Sequence, residues 1–291
     1  MELFICPVCM EKGRNEGAAA LRRVGGALKC SRGHSFDVSA RGYVNLLLAQ
    51  HKNVKDPGDG KEMATARREF LNTGAYKPLL DAVCAAAAEL TDGVRDPVVA
   101  DCGCGEGYYT AGIYDALAGK GSPQIYAVDI SKNALSVAKP RFAGKAVYPA
   151  AASVFRLPIG SGTADLATVI FAPLCAEELL RILKPQGRLI MVIPAREHLF
   201  ALKQLLYEKP YYNEVKPYEL NGFAFLGRDE VRGSAEITEQ AVLNALFMMT
   251  PYYYKTSPKD SARLYSYFEE HDKFTVETAF EILKYRKEVS V

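Results

Sequence analysis

The residues best suited to chemistry in this 291-residue chain lie in two clusters, and the first reads Asp101-Cys102-Gly103-Cys104-Gly105-Glu106-Gly107. The run before it, Val98-Val99-Ala100, is strand-like, and the run after it, Tyr108-Tyr109-Thr110, can open a helix. Glycine at three alternate positions lets the backbone turn with positive φ and keeps side chains out of the space a ligand would fill. A dinucleotide-binding turn spaces its glycines G-x-G-x-x-G, and counted from Gly103 the third would fall on Tyr108. That departure weakens an NAD reading. A second acid, Asp129, ends another strand-like run 22 positions after Gly107, near the ~20 expected of a carboxylate that grips ribose hydroxyls.

The second cluster is Cys6-Pro7-Val8-Cys9 together with Cys30-Ser31-Arg32-Gly33-His34. Two residues between the first cysteines let one tight turn point both thiolates at a single ion, and a second short loop completes a tetrahedron. Cys6, Cys9, Cys30 and His34 are therefore expected to hold a structural zinc. Four protein ligands leave no coordination position for a reacting water. The chain has seven cysteines, an odd number that argues against a closed disulfide framework, and Cys84, Cys102, Cys104 and Cys175 read as small core residues. Around the zinc ligands lie Arg14, Arg22, Arg23, Lys29, Arg32 and Arg41 with Phe36 and Tyr43 among them, a composition suited to phosphate contacts and base stacking.

Both clusters need a scaffold, and length and patterning supply one. A chain with 49% hydrophobic residues can bury a substantial core, and its net charge of +2 sets up no global field. The charge is uneven, with nine Lys/Arg against four Asp/Glu in residues 1–55. The sequence has no apolar run long enough to span a bilayer and its start lacks a signal-peptide pattern, so a cytoplasmic location is expected. The Pro/Gly/Asp cluster at 56–60 reads as the end of a linker. This divides the chain into residues 1–55, a zinc-binding domain and linker, and residues 56–291. In the second part, strand-like runs at 98–102, 124–129, 146–150, 164–171 and 188–193 alternate with helical spacing, the mark of an α/β parallel sheet. Residues 222–238 and 274–287 follow as two long strands with a helix at 239–249 between them.

The pattern Asp101-x-Gly103-x-Gly105-x-Gly107 resembles motif I of the class I S-adenosylmethionine-dependent methyltransferases. A longer series of residues narrows the resemblance: the Cys6/Cys9/Cys30/His34 knuckle, Phe36-Asp37, Gly42-Tyr43-Val44-Asn45-Leu46-Leu47, Asp56-Pro57-Gly58-Asp59, Arg67-Arg68-Glu69-Phe70-Leu71, Tyr76 and Cys104-Gly105-Glu106-Gly107-Tyr108-Tyr109-Thr110. From residue 6 to about residue 200 the chain resembles the bacterial 23S rRNA (guanine-N1)-methyltransferases. The resemblance implies a class I, Rossmann-like sheet carrying a small N-terminal zinc-binding domain, acting as a homodimer on a hairpin of 23S rRNA. It also implies that Tyr76, Gly105, Glu106 and His198 contact S-adenosylmethionine. Asp101 would lie near the methionine ammonium, Gly103, Gly105 and Gly107 under the sulfonium and ribose, and Asp129 at the ribose. Residues 152–158 would border the adenine, and Ala172-Pro173-Leu174, where the family has Ala-Pro-Cys, the reacting methyl.

Guanine N1 is hidden inside a base pair, so the target must be unpaired or flipped out, and the run Tyr252-Tyr253-Tyr254-Lys255 reads equally as an aromatic face for it or as plain core. The sequence singles out no catalytic base. Two other readings stay open: a methyltransferase for another RNA position or a small molecule, and a non-catalytic zinc-bearing RNA-binding protein.

Overall fold

The computed structural model describes residues 4–13, 16–48, 58–215 and 217–288. Arg14 and most of the expected linker, with the boundary at 55/56, lie outside the described residues. Four short strands, β1 (Phe4–Ile5), β2 (Ala20–Val24), β3 (Ala27–Lys29) and β4 (Ser35–Asp37), form an antiparallel meander. Eight more form the main sheet: β5 (Val44–Asn45), β6 (Val98–Cys102), β7 (Gln124–Asp129), β8 (Val147–Ala151), β9 (Ala164–Ile170), β10 (Leu183–Pro194), β11 (Phe223–Ile237) and β12 (Phe274–Lys287). Their order is β11-β12-β10-β9-β6-β7-β8-β5. Strands β5 to β10 pair in parallel, and β12 pairs antiparallel with both β10 and β11.

Successive crossovers from β6 step outward to β7 and β8, and the chain then returns to lay β9 on the other side of β6. The crevice between the tips of β6 and β9 is thus the topological switch point, where open α/β sheets bind ligands. All the candidate residues of the glycine-rich loop sit at this edge.

A parallel sheet must be covered on both faces. One face of β6 and β7, through Val99, Ile125 and Ala127, packs on the helices Lys61–Asn72, Lys77–Leu90 and Tyr108–Leu117, which supply Phe70, Leu79, Val83 and Ile113. The other face, Ala100, Cys102, Tyr126 and Val128, shares a core with Phe4, Ile5, Leu21 and Leu28 of the small meander. The reason lies in the β8–β9 connection, residues 152–163, which carries no helix. The zinc-binding unit fills that space. Its Phe4 ring meets Tyr126 edge-on at 5.1 Å, the Ile5 N–H donates to the Pro158 carbonyl at 2.9 Å, and Arg156 pairs with Glu11 at 3.1 Å. Strand β5 then joins the main sheet at its edge, Val44 opposite Ala150. The unit is therefore built into the sheet. No helix among the described residues is long and apolar enough to cross a membrane.

Candidate metal centre and active site

Cys6 follows β1 and caps the short helix Pro7–Glu11, which carries Cys9. Cys30 and His34 flank the tight β3–β4 turn, where the Cys30 N–H donates to the His34 carbonyl and the Gly33 N–H to the Cys30 carbonyl, both at 3.1 Å. Gly33 takes φ +84° there, the left-handed region that glycine enters without strain. The four donor atoms all lie within 4.8 Å of one another. His34 Nδ1 stands 3.4, 3.5 and 3.3 Å from the sulfurs of Cys6, Cys9 and Cys30. Sulfur and nitrogen ligands bound tetrahedrally to one zinc ion are about 3.5 Å apart, so these residues fit the metal. Burial pushes the Cys6 thiol up to about 12, and a thiolate there needs a cation beside it.

The glycine-rich loop joins β6 to the helix Tyr108–Leu117. A side chain at Gly103, where φ is +93°, would stand 2.3 Å from Ala172 Cβ, so that glycine lets the loop after β9 pack onto the loop after β6. Gly105, at φ +55°, is different: a Cβ there would meet only Arg67 Nη1, at 4.0 Å. Its face is open. The Gly105 N–H and the Ser131 N–H donate to the two oxygens of Asp129, at 2.8 and 2.7 Å. Burial raises the Asp129 pKa to about 6 despite those two N–H groups. Gly107 caps the helix with φ +85°.

Asp101 sits beneath this surface. It is 2% exposed, and its two oxygens accept from the hydroxyls of Thr110 (2.5 Å) and Thr168 (2.8 Å). Burial raises its pKa. The geometry makes it a brace tying the tips of β6 and β9 to the first turn of the helix.

Glu106 is buried and pairs with Arg141 Nε at 2.5 Å, while its other oxygen, Oε1, has no hydrogen-bond partner among the described residues. The Tyr109 hydroxyl is likewise buried without a partner. Across the cleft, His198 follows β10 and Tyr76 precedes the helix Lys77–Leu90, and His198 Nε2 lies 3.2 Å from the Tyr76 hydroxyl. The Ala279 N–H of β12 donates to His198 Nδ1 at 3.3 Å. With Nδ1 accepting, the neutral ring carries its proton on Nε2 and donates it to Tyr76, which leaves the Tyr76 O–H free to donate onward. Burial, helped by Lys203, lowers the His198 pKa to about 3. The ring is neutral at any ordinary pH.

The structure thus brings Gly105, Glu106 and Asp129 to one loop edge and links His198 to Tyr76, while Asp101 faces inward. Sequence reasoning gave no role to Arg67, yet it stands at the centre. In Tyr76, Glu106, Tyr109 and Asp129 alike, burial raises the pKa and the Arg67 charge opposes it. Arg67 is held by Asp59 and by the Met249 carbonyl, and Asp59 is tied to the β7 edge by Ser131, whose hydroxyl donates to its carbonyl at 2.7 Å. The run Arg67-Arg68 on an otherwise amphipathic helix was the available signal. Of the three consecutive tyrosines, Tyr252 and Tyr253 pack against the core and Tyr254 is exposed.

Residues 4–55 match the family model described as "RlmA, N-terminal", a zinc ribbon, and residues 99–187 match one described as "Methyltransferase domain". A Micromonospora griseorubida protein named as a 23S rRNA (guanine-N(1)-)-methyltransferase is 35% identical over 97% of this chain and 96% of its own length. The 23S rRNA (guanine(748)-N(1))-methyltransferase of Streptomyces fradiae is 30% identical over 89% of this chain and 88% of its own. The Bacillus subtilis protein YxjB, also named as a 23S rRNA (guanine-N(1)-)-methyltransferase, is 32% identical over 90% of each chain.

Proposed function

The chain belongs to the family of 23S rRNA (guanine-N1)-methyltransferases, and from that premise we propose how its residues serve methyl transfer to guanine N1. S-adenosylmethionine, when bound, supplies an electrophilic methyl carbon on sulfur. The observation that carries the assignment is the set of groups at the switch point that the fold leaves unused: the open face of Gly105, the free Tyr76 O–H, and the buried, unpartnered Glu106 Oε1 and Tyr109 hydroxyl. Buried polar atoms without partners are uncommon, and a ligand rich in hydrogen-bonding groups satisfies them. A nucleoside bearing an amino acid is such a ligand.

In this reading Gly105 lets the cofactor lie against the loop, and Asp129 accepts from the ribose hydroxyls while the Ser131 and Gly105 N–H groups hold its carboxylate in place. Tyr76 donates to the cofactor and His198 fixes the direction of that hydroxyl. Glu106 contributes its free oxygen, and Gly103, Gly107 and Asp101 set the shape of the loop. Displacement at the methyl carbon needs the two reactants held in line and water kept out, and no protein nucleophile. Methylation replaces the guanine N1 proton, which has to leave. His198 is no base for it, since Nδ1 is engaged by Ala279 and Nε2 carries a proton.

The zinc is structural, held by Cys6, Cys9, Cys30 and His34. Arg22, Arg23, Lys29, Arg32 and Arg41 lie exposed on the zinc-binding unit, and we assign them phosphate contacts with a 23S rRNA hairpin. The family resemblance supports a homodimer, which light scattering of the purified protein decides.

The direct test incubates the protein with labelled S-adenosylmethionine and 23S rRNA lacking the modification, then maps reverse-transcriptase stops. An N1-methylguanine blocks pairing, so one stop at a hairpin guanine is expected. Labelling of a small molecule with no labelled RNA would refute the acceptor.

A further inference from the structure

Five rings form a continuous wall from the cleft to the surface. Tyr76, His198 and Phe280 are buried and in mutual contact, with centroids 4.4 to 5.9 Å apart. Phe171 touches Phe280 at 5.7 Å and Tyr109 at 6.3 Å. Of the five, Phe171 is the exposed one, at 47%.

Its backbone is also unusual. Phe171 follows the last residue of β9 with φ +54°, a conformation that bulky side chains avoid. It is held there from two sides: its N–H donates to the Val192 carbonyl at 3.2 Å, and the next residue, Ala172, is packed onto Gly103. A strained residue fixed by its surroundings at the mouth of a ligand cleft is an observation from which a function can be inferred. The conformation leaves a large ring half exposed, with one edge on Phe280 and Tyr109 and its backbone next to the residue that packs on Gly103.

Three other exposed aromatics are less suited. Tyr212 is already stacked on Phe200 at 4.3 Å with Arg196 over its ring at 5.0 Å. Tyr211 has Lys203 over its ring at 4.4 Å. Tyr254 has its hydroxyl beside Gly60, next to the Asp59 that holds Arg67. The neighbours of Phe171 meet it at 66° and 53°, edge-on or tilted, so neither stacks on it.

We propose that Phe171 is the platform on which the target guanine stacks once it has left its own helix. Single-stranded bases are held on aromatic faces in this way, and a base extruded for chemistry needs a new stacking partner. The wall behind Phe171 leads to Tyr76 and Tyr109, so a base on this ring stands next to the groups assigned to the cofactor. The proposal rests on the methyltransferase reading and adds the recognition of the acceptor.

The test uses the full-length protein with S-adenosylhomocysteine and two forms of the hairpin RNA, one with the mapped guanine and one abasic at that position. Wild type is expected to bind the guanine form about tenfold more tightly than the abasic form. Phe171→Leu should erase that preference and lower kcat/KM for RNA about 10- to 100-fold, with S-adenosylhomocysteine affinity and melting temperature unchanged. Phe171→Tyr, which keeps the ring, should keep the preference. Equal binding of both RNAs by wild type, or a Phe171→Leu variant that keeps the preference, overturns the proposal. So does loss of S-adenosylhomocysteine binding or of folding in Phe171→Leu, which would make the ring structural. Wild type that binds no S-adenosylhomocysteine would instead defeat the cofactor reading and this proposal with it.

Discussion

The metal centre and the methyl-transfer cleft are both ligand sites, but they are built in opposite ways. The metal centre draws all four donors from residues 6–34, and their atoms converge to within 4.8 Å of one another. The cleft draws on the loop after β6, the end of β7, two helix starts and the segment after β10, between Tyr76 and His198. Its groups are held by other protein groups: Asp129 by two N–H donors, His198 by Ala279, Asp101 by two threonines. A site made only of ligands needs its metal to exist. A site made by a sheet exists before its ligand and is tuned by what the sheet leaves unpaired. Metal removal should therefore disturb the fold, and cofactor removal should not.

The largest expected effect follows directly. Stripping the zinc, or changing Cys9 to serine, should unfold the meander, whose core is too small to persist alone. Because Phe4 and Ile5 help cover the main sheet and β5 is its edge strand, the loss should spread to the whole chain and lower its stability by about 3 kcal/mol or more. Circular dichroism melting, run while a chromophoric chelator counts the released zinc, checks this. An unchanged melting curve after full release would mean that the two units are energetically separate.

Within the cleft, two glycines of one loop sharpen the contrast. Gly103→Ala puts a methyl group 2.3 Å from Ala172 and should destabilise the fold by ~2 to 3 kcal/mol. Gly105→Ala meets only open space and Arg67, so left-handed strain alone applies, about 1 kcal/mol. Yet it should weaken S-adenosylhomocysteine binding at least tenfold, because the methyl occupies the ligand's side. Denaturant melts and calorimetry on both variants separate the two. Should Gly105→Ala bind normally, the open face would belong to no ligand.

His198 gives a smaller effect with a fixed sign. Its folded pKa, about 3, lies below the ~6.5 of an unfolded histidine, so as pH falls through 6.5 the unfolded chain takes up a proton that the folded ring refuses. Its contribution to stability is complete above that pH and drains away toward pH 3, reaching a loss of about 2 kcal/mol at pH 5. Comparing wild type with His198→Gln at pH 7 and pH 5 isolates it from the other histidines. A difference independent of pH would show that the ring is not held neutral.

How much of this was legible beforehand depends on whether the deciding contacts were local. Cys6, Cys9, Cys30 and His34 could be read because a metal site of this kind is a matter of spacing. The main sheet could be read because its strands carry their own apolar runs, and the expected strand at 274–287 is β12 to the residue. Asp101 could be placed in a motif, but the hydroxyls of Thr110 and Thr168 that each donate to one of its oxygens lie 9 and 67 residues away and left no mark in that motif. Arg67, the strained Phe171 and the joining of β5 to β8 rest on pairings between distant parts of the chain, for which short-range pattern carries no signal. Tyr252 and Tyr253 could be read either as a base-stacking face or as core, because three tyrosines in a row do not say which of them the core will take.

The finest test of the comparison is the titration of Asp129, a group that only the cleft's kind of construction produces. Burial holds its pKa near 6, while the N–H groups of Ser131 and Gly105 keep the carboxylate accessible above that value. If ribose hydroxyls donate to the ionised form, S-adenosylhomocysteine affinity should be flat from pH 8 to 7. It should then fall to about one tenth by pH 5, where about a tenth of the carboxyl remains ionised. The ligand's own amine and carboxyl titrate outside this window. Asp129→Asn should bind more weakly at neutral pH and show no step near 6. A step that survives in Asp129→Asn would assign the titration to another group, with Glu106, whose pKa is also raised by burial, the next to replace. No step at all in wild type would mean that the ligand does not meet this carboxylate, and the ribose end would have to be sought elsewhere along the edge of β7.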